Sequence, residues 1–251
     1  MNEWIEIPVD DAGAMVTYVA HPDGVPTSGV IICHELFGVT ADIRGVADRL
    51  AASGVLALAP NFYHRDVEAA DLPRDAEGRD RGFAYLHRMT RAGALADVRA
   101  AAAHLGDLRV GLLGLSAGGH LAFYAATQLQ VSIVAIAYGG WLTSTDIPLS
   151  RPEPTLELAP GISGRVLNLV GDRDTLIPVE TARAIERGLT DAGVPHEVVV
   201  YPGVAHAFLW PGTPAYDADA ADDAWRRIIT ALGPARVSHP TEPGEIRPAI
   251  A

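Results

Sequence analysis

The chain has 251 residues, with 19 Lys plus Arg against 31 Asp plus Glu for a net charge of −12, and nearly half of it is apolar. That length and composition suit one α/β domain with a sizeable core and exclude a disordered or fibrous chain. An acidic balance without a basic cluster argues against nucleic acid as a partner, since displacing counterions needs a cationic surface, and the single cysteine, Cys33, excludes an internal disulfide framework or a thiolate metal site.

Residues Met1 to Pro8 carry Glu3 and Glu6 and show no basic segment followed by an apolar run, so no secretory signal is read there. Nowhere do about twenty apolar residues run without charge, the length a membrane-spanning helix needs. The expectation is a soluble, cytoplasmic protein with no membrane partner, a monomer or a homodimer.

Two extended segments, Trp4 to Pro8 and Ala14 to Ala20, flank the turn residues Asp10, Asp11 and Gly13 and predict an N-terminal hairpin. The run Val30 to Cys33 is short, apolar and mostly β-branched, as expected of a strand covered on both faces. A helix over Ala41 to Ala52, a strand over Val55 to Ala59, a long helical stretch from about Arg79 to Leu105 and a strand over Arg109 to Leu113 follow. Next come a helix over Ala117 to Gln128 and strands over Ser132 to Ala137 and Arg165 to Val170. A helix over Glu180 to Ala192, a strand over His196 to Tyr201 and a helix over Ala218 to Leu232 complete the pattern. Strands alternating with helices predict a mostly parallel sheet flanked by helices on both faces. The domain is expected over 1–232, with a loose Pro/Gly-rich tail over 233–251.

The strand at Arg109 to Leu113 runs into Gly114-Leu115-Ser116-Ala117-Gly118-Gly119, and a helix follows at once. A turn this sharp forces its central residue into a strained backbone and presents the hydroxyl at the carboxyl edge of the sheet. The Ala117 N–H and the positive end of the new helix can stabilise an oxyanion there. A glycine-rich turn with a solvated serine is the plainer alternative; the placement between strand and helix favours the nucleophile.

A serine hydroxyl needs a base, and the base needs an orienting carboxylate. Past the strand ending at Val170 lies Gly171-Asp172-Arg173-Asp174, where Asp174 is preferred as the acid and Asp172 is read as a turn-stabilising side chain. Past the strand ending at Tyr201 lies Pro202-Gly203-Val204-Ala205-His206, and a histidine in that loop has the reach of a general base. The chain order Ser, Asp, His, each on a loop after a strand, selects His206 over the eight other histidines, which are read as surface or packing residues.

These motifs resemble the dienelactone hydrolase family of α/β-hydrolases. The resemblance runs through Cys33-His34-Glu35-Leu36-Phe37-Gly38, Gly114 to Gly119, Tyr138-Gly139-Gly140, Gly171 with Asp174 and Pro178, and Tyr201 to Phe208, and covers about residues 5 to 232. It implies an α/β-hydrolase fold, an active-site segment Glu35 to Gly38, and a Leu36 N–H that joins that of Ala117 in the oxyanion hole. Glu35 would sit beside the nucleophile or else fix its loop by accepting backbone hydrogen bonds. Many members have a cysteine nucleophile; Ser116 stands here instead, and Cys33 reads as an inert packing residue.

Members that cleave dienelactone hold the substrate carboxylate with arginines, one of them a few residues past the catalytic histidine, where this chain has Leu209 and Trp210. Arg79 and Arg81 are candidates for that task, as against a solvated helix face. Tyr85, Tyr138, Trp141 and Trp210 are candidates for lining the pocket or for plain packing. The chemistry expected is hydrolysis of a small ester or lactone through an acyl-enzyme, with no metal and no cofactor required. Two rival readings keep the fold: acyl transfer or cyclisation by the same triad, which competing alcohols would reveal, and a non-catalytic binding protein, which Ser116 labelling would exclude.

Overall fold

The computed structural model describes residues 2–10 and 12–233. Eight strands form one sheet in the order β1-β2-β4-β3-β5-β6-β7-β8. The expected hairpin is β1 (Glu3–Val9) against β2 (Gly13–Ala20), antiparallel from Glu3 opposite Val19 to Val9 opposite Gly13. β2 also runs antiparallel to β4 (Leu56–Pro60), and every later pairing is parallel. The parallel body consists of β3 (Ser28–Cys33), β4, β5 (Arg109–Leu115), β6 (Ile133–Ala137), β7 (Arg165–Gly171) and β8 (His196–Tyr201).

β3 and β6 are buried along their whole length, which is why Val30 to Cys33 and Ile133 to Ala137 are continuous apolar runs rather than alternations. Helices cover both faces. α1 (Ala41–Ala52) and α6 (Ala218–Leu232) press Ile43, Val46, Leu50, Trp225 and Ile228 onto one side. α3 (Arg91–His104), α4 (Ala117–Gln128) and most of α5 (Val179–Asp191) pack the other through residues such as Val98, Phe123 and Ile185.

The long helical stretch expected from Arg79 to Leu105 is instead two helices, α2 (Ala76–Leu86) and α3. Each has its own cap: the Asp75 side chain accepts the Gly78 N–H at 2.8 Å and Thr90 Oγ1 accepts the Gly93 N–H at 3.1 Å. A side chain that satisfies an orphan N–H starts a helix, so Thr90 begins a second helix after His87 closes the first. Between β6 and β7 the chain adds two 3₁₀ segments, Pro148–Ser150 and Thr155–Gly161, too short and proline-rich to show a period in the sequence. Among the described residues no helix is long and apolar enough to cross a membrane. The expected tail falls almost wholly on 234–251, outside the described residues.

Candidate active site

Parallel strands bring their carboxyl ends to one edge, and register decides which loops meet there. Cys33 lies opposite Gly114, Leu115 opposite Ala137, and Gly171 opposite Tyr201. The segments beginning at His34, Ser116, Tyr138, Asp172 and Pro202 therefore emerge side by side.

Ser116 has φ 51 and ψ −117, a region that non-glycine residues avoid. Such a backbone costs of order 1–3 kcal/mol and persists only where its surroundings fix it. Here the Ser116 N–H donates to Ala137 O at 3.0 Å and Ser116 O accepts from the Gly119 N–H at 2.8 Å. The elbow also requires bare backbone beside it. A Cβ on Gly118 would lie 2.0 Å from Cys33 O, and one on Gly114 would lie 2.5 Å from Gly118 O.

Ser116 Oγ lies 2.9 Å from His206 Nε2, and His206 Nδ1 lies 2.7 Å from Asp174 Oδ2. The other carboxylate oxygen of Asp174 accepts the N–H groups of Leu176 at 2.8 Å and Ile177 at 2.9 Å. Held this way, the carboxylate can accept a hydrogen bond from Nδ1–H, the tautomer that leaves the Nε2 lone pair facing the serine hydroxyl. Asp172 takes a different position: its Oδ1 accepts the Gly203 N–H at 2.6 Å and ties the acid loop to the base loop. Ala207, immediately after His206, has φ 62, so the base loop also carries backbone strain.

Glu35 is 3 % exposed and sits in a polar cluster. Its Oε2 accepts the Trp210 indole N–H at 3.1 Å, and its Oε1 lies 2.6 Å from Arg74 Nη2, a contact off the N–H axis that acts as an ion pair. Burial pushes the Glu35 carboxyl up, opposed by the nearby Arg74 guanidinium and by the hydrogen bond from Trp210. Arg74 also binds Asp42 Oδ2 through two nitrogens, at 2.8 and 3.2 Å, and lies over the rings of Phe37 and Trp210. The sequence does not single out Arg74, because Leu72-Pro73-Arg74-Asp75 is an aperiodic connection and nothing local marks its arginine.

Tyr138 is fully buried with φ 46, and its ring meets that of His206 edge-on at 5.0 Å. Trp210 is buried against the cluster, whereas Trp141 is half-buried with φ 58 and packs with the α4 side of the core. Tyr85 packs on Tyr63, with ring centroids 5.3 Å apart. Arg79 and Arg81 stand on the exposed face of α2, where Arg79 leans toward Asp80 at 3.6 Å, and neither joins Arg74 at Glu35. Cys33 is fully buried, and burial pushes its thiol well above the ordinary range.

A family model described as the dienelactone hydrolase family matches residues 15–235. A protein of Synechocystis sp., provisionally named carboxymethylenebutenolidase, is 32% identical over 221 residues that cover 84% of this chain and 88% of its own. The carboxymethylenebutenolidase of Rhodococcus opacus is 31% identical over 208 residues, covering 80% of this chain and 78% of its own. A solved structure from Klebsiella pneumoniae, provisionally described as a dienelactone hydrolase, superposes with a TM-score of 0.82 at 26% identity, covering 92% of this chain and 98% of the other.

Proposed function

The chain belongs to the dienelactone hydrolase family of carboxylic ester hydrolases, and from that premise we propose that it cleaves a small, uncharged ester or lactone through a serine acyl-enzyme. His206 Nε2 takes the proton of Ser116 as Oγ attacks the carbonyl carbon. The carbonyl oxygen becomes an oxyanion received by the N–H groups of Leu36 and Ala117. His206 then gives its proton to the leaving oxygen, and water activated by the same nitrogen releases the acid. Asp174 holds the imidazole in the tautomer this cycle needs. Each oxyanion donor is worth on the order of 3 kcal/mol of transition-state stabilisation in sites of this kind.

The observation that carries the reading is the unbroken path from Ser116 Oγ through both nitrogens of His206 to Asp174, at 2.9 and 2.7 Å. The preference for an uncharged substrate follows from Arg74. The name of the relatives denotes a butenolide with a carboxymethylene group, but here the Arg74 guanidinium is committed to Glu35 and Asp42. A substrate carboxylate at that guanidinium would have to displace one fixed carboxylate while repelled by the other.

Hydrolysis of p-nitrophenyl acetate, a neutral lactone and a carboxylate-bearing lactone, each by wild type, Ser116→Ala and His206→Ala, tests both parts. The expected result is turnover of the neutral substrates that both variants abolish to within background. Activity retained by Ser116→Ala defeats the acyl-enzyme, and a preference for the carboxylate-bearing lactone defeats the substrate class. Including a competing alcohol separates hydrolysis from acyl transfer through the product formed.

A further inference from the structure

The peptide that joins Glu35 to Leu36 contains both a carbonyl and the N–H to which the proposed mechanism assigns the oxyanion. In a planar trans peptide these two groups point in opposite directions, so whatever holds the carbonyl aims the N–H. Glu35 O accepts from His34 Nδ1 at 2.7 Å and from the Gly38 N–H at 3.3 Å.

The proton on His34 can be placed from the chain alone. Its Nε2 lies 3.2 Å from the Phe62 backbone nitrogen, and a backbone N–H only donates. Nε2 is therefore the bare nitrogen, and the ring proton sits on Nδ1, facing Glu35 O. The ring is buried, and burial pulls its pKa down to about 4, so it remains neutral near pH 7. The imidazole packs against the rings of Phe62 and Tyr63, with centroids 5.7 and 4.8 Å away, and only about 10 Å³ of free space adjoins it.

We propose that His34 is a positioning residue for the oxyanion hole: its Nδ1–H, by holding the Glu35 carbonyl, sets the direction of the Leu36 N–H and polarises that peptide into a stronger donor. Polarisation of this kind strengthens each bond of a hydrogen-bonded chain by a modest fraction. The next peptide is held as well, because the Tyr63 hydroxyl donates to Leu36 O at 3.3 Å. The separation from the second donor is fixed too, since the His34 carbonyl lies against the bare backbone of Gly118, next to Ala117. This inference rests on the acyl-enzyme reading and on Leu36 as an oxyanion donor.

Two variants separate the two bonds of the ring. In His34→Gln the side-chain carbonyl can accept the Phe62 N–H, but Glu35 O loses its side-chain donor. In His34→Asn the amide nitrogen replaces Nδ1 as that donor, and the Phe62 N–H goes unpaired. For His34→Gln, kcat on p-nitrophenyl acetate and the rate of Ser116 labelling by an alkyl fluorophosphonate should fall together by roughly tenfold or more, with KM within about twofold of wild type. His34→Asn should keep more of the turnover and melt at a lower temperature. Wild-type kcat in His34→Gln, or a greater loss of turnover in His34→Asn, overturns the role of His34.

Nitrogen NMR of the wild-type protein makes the test independent of variant folding: His34 should carry its proton on Nδ1, and a proton found on Nε2 overturns the inference. Ser116→Ala assayed alongside tells the two failures apart. Activity in Ser116→Ala removes the acyl-enzyme itself, whereas an inactive Ser116→Ala beside a fully active His34→Gln removes only the positioning role.

Discussion

Replacing Gly118 with alanine should damage catalysis more than stability. The new Cβ would lie 2.0 Å from Cys33 O and 2.4 Å from His34 O, whereas ordinary contact begins at 3.4 Å. Both neighbours are backbone, so no side-chain rotation relieves the overlap, and the end of β3 must part from the start of α4 by more than an ångström. Overpacking of this sort costs about 1–3 kcal/mol, offset by up to ~1 kcal/mol from the better helix propensity of alanine. The same displacement separates the Leu36 and Ala117 N–H groups, and an ångström of misplacement costs on the order of 10²-fold in rate. Urea unfolding and kcat on p-nitrophenyl acetate read the two effects separately. Gly45→Ala in α1 is the control: nothing lies within 4 Å of its added Cβ, and it should stabilise by about 0.5–1 kcal/mol without touching kcat. A Gly118→Ala enzyme with wild-type turnover and an unchanged unfolding midpoint would refute the reasoning that close approach of these backbones builds the site.

Asp174→Asn preserves an acceptor for the Leu176 and Ile177 N–H groups but favours the wrong imidazole tautomer, so kcat should fall by roughly 10⁴ with little change in the melting temperature; a loss below about tenfold would remove Asp174 from the proposed triad. Trp210→Phe removes the indole donor from the buried Glu35 carboxylate and should lower stability at pH 7 by about 1–3 kcal/mol in urea unfolding, and an unchanged midpoint would mean that Arg74 alone satisfies Glu35. Burial holds His34 and His120 down to about 4, against 6.5 for an exposed imidazole. The unfolded chain therefore takes up protons that the native state refuses, and stability present above pH 6.5 should drain away toward pH 4, by roughly 3 kcal/mol per histidine. In the folded protein, His120 contacts Gly140 O and Thr155 Oγ1, and urea unfolding of His120→Gln between pH 7.5 and 4.5 should show a shallower decline than wild type; parallel declines would refute the assignment.

Legibility in the sequence followed how local each feature is. The boundaries of α1, α4, α6 and β8 coincide with those expected, because each begins and ends on residues that change the backbone's options, such as the strained Ser116 before α4 and Asp217 capping α6 with its side chain. The break between α2 and α3 leaves little mark in the sequence, because an alanine-rich, periodic stretch hides a single threonine cap. The placement of Ser116, Asp174 and His206 is legible because each lies on a loop after a strand, and the structure brings their side chains into one hydrogen-bonded path. The surroundings of Glu35 were not readable. Arg74 reaches it from a connection 39 residues away in the chain, and no period or motif encodes that meeting. Likewise the hydrogen bond from Phe62 to His34 depends on β3 and β4 lying side by side, which sets the imidazole tautomer only in three dimensions.

The most direct test of the catalytic assembly is mass spectrometry of the protein after reaction with an alkyl fluorophosphonate, followed by peptide mapping. Expected is a single adduct, on the peptide that contains Ser116, which forms rapidly in wild type and fails to form in His206→Ala. An adduct on another residue, or labelling of Ser116 at the same rate without His206, would contradict a serine activated by that histidine.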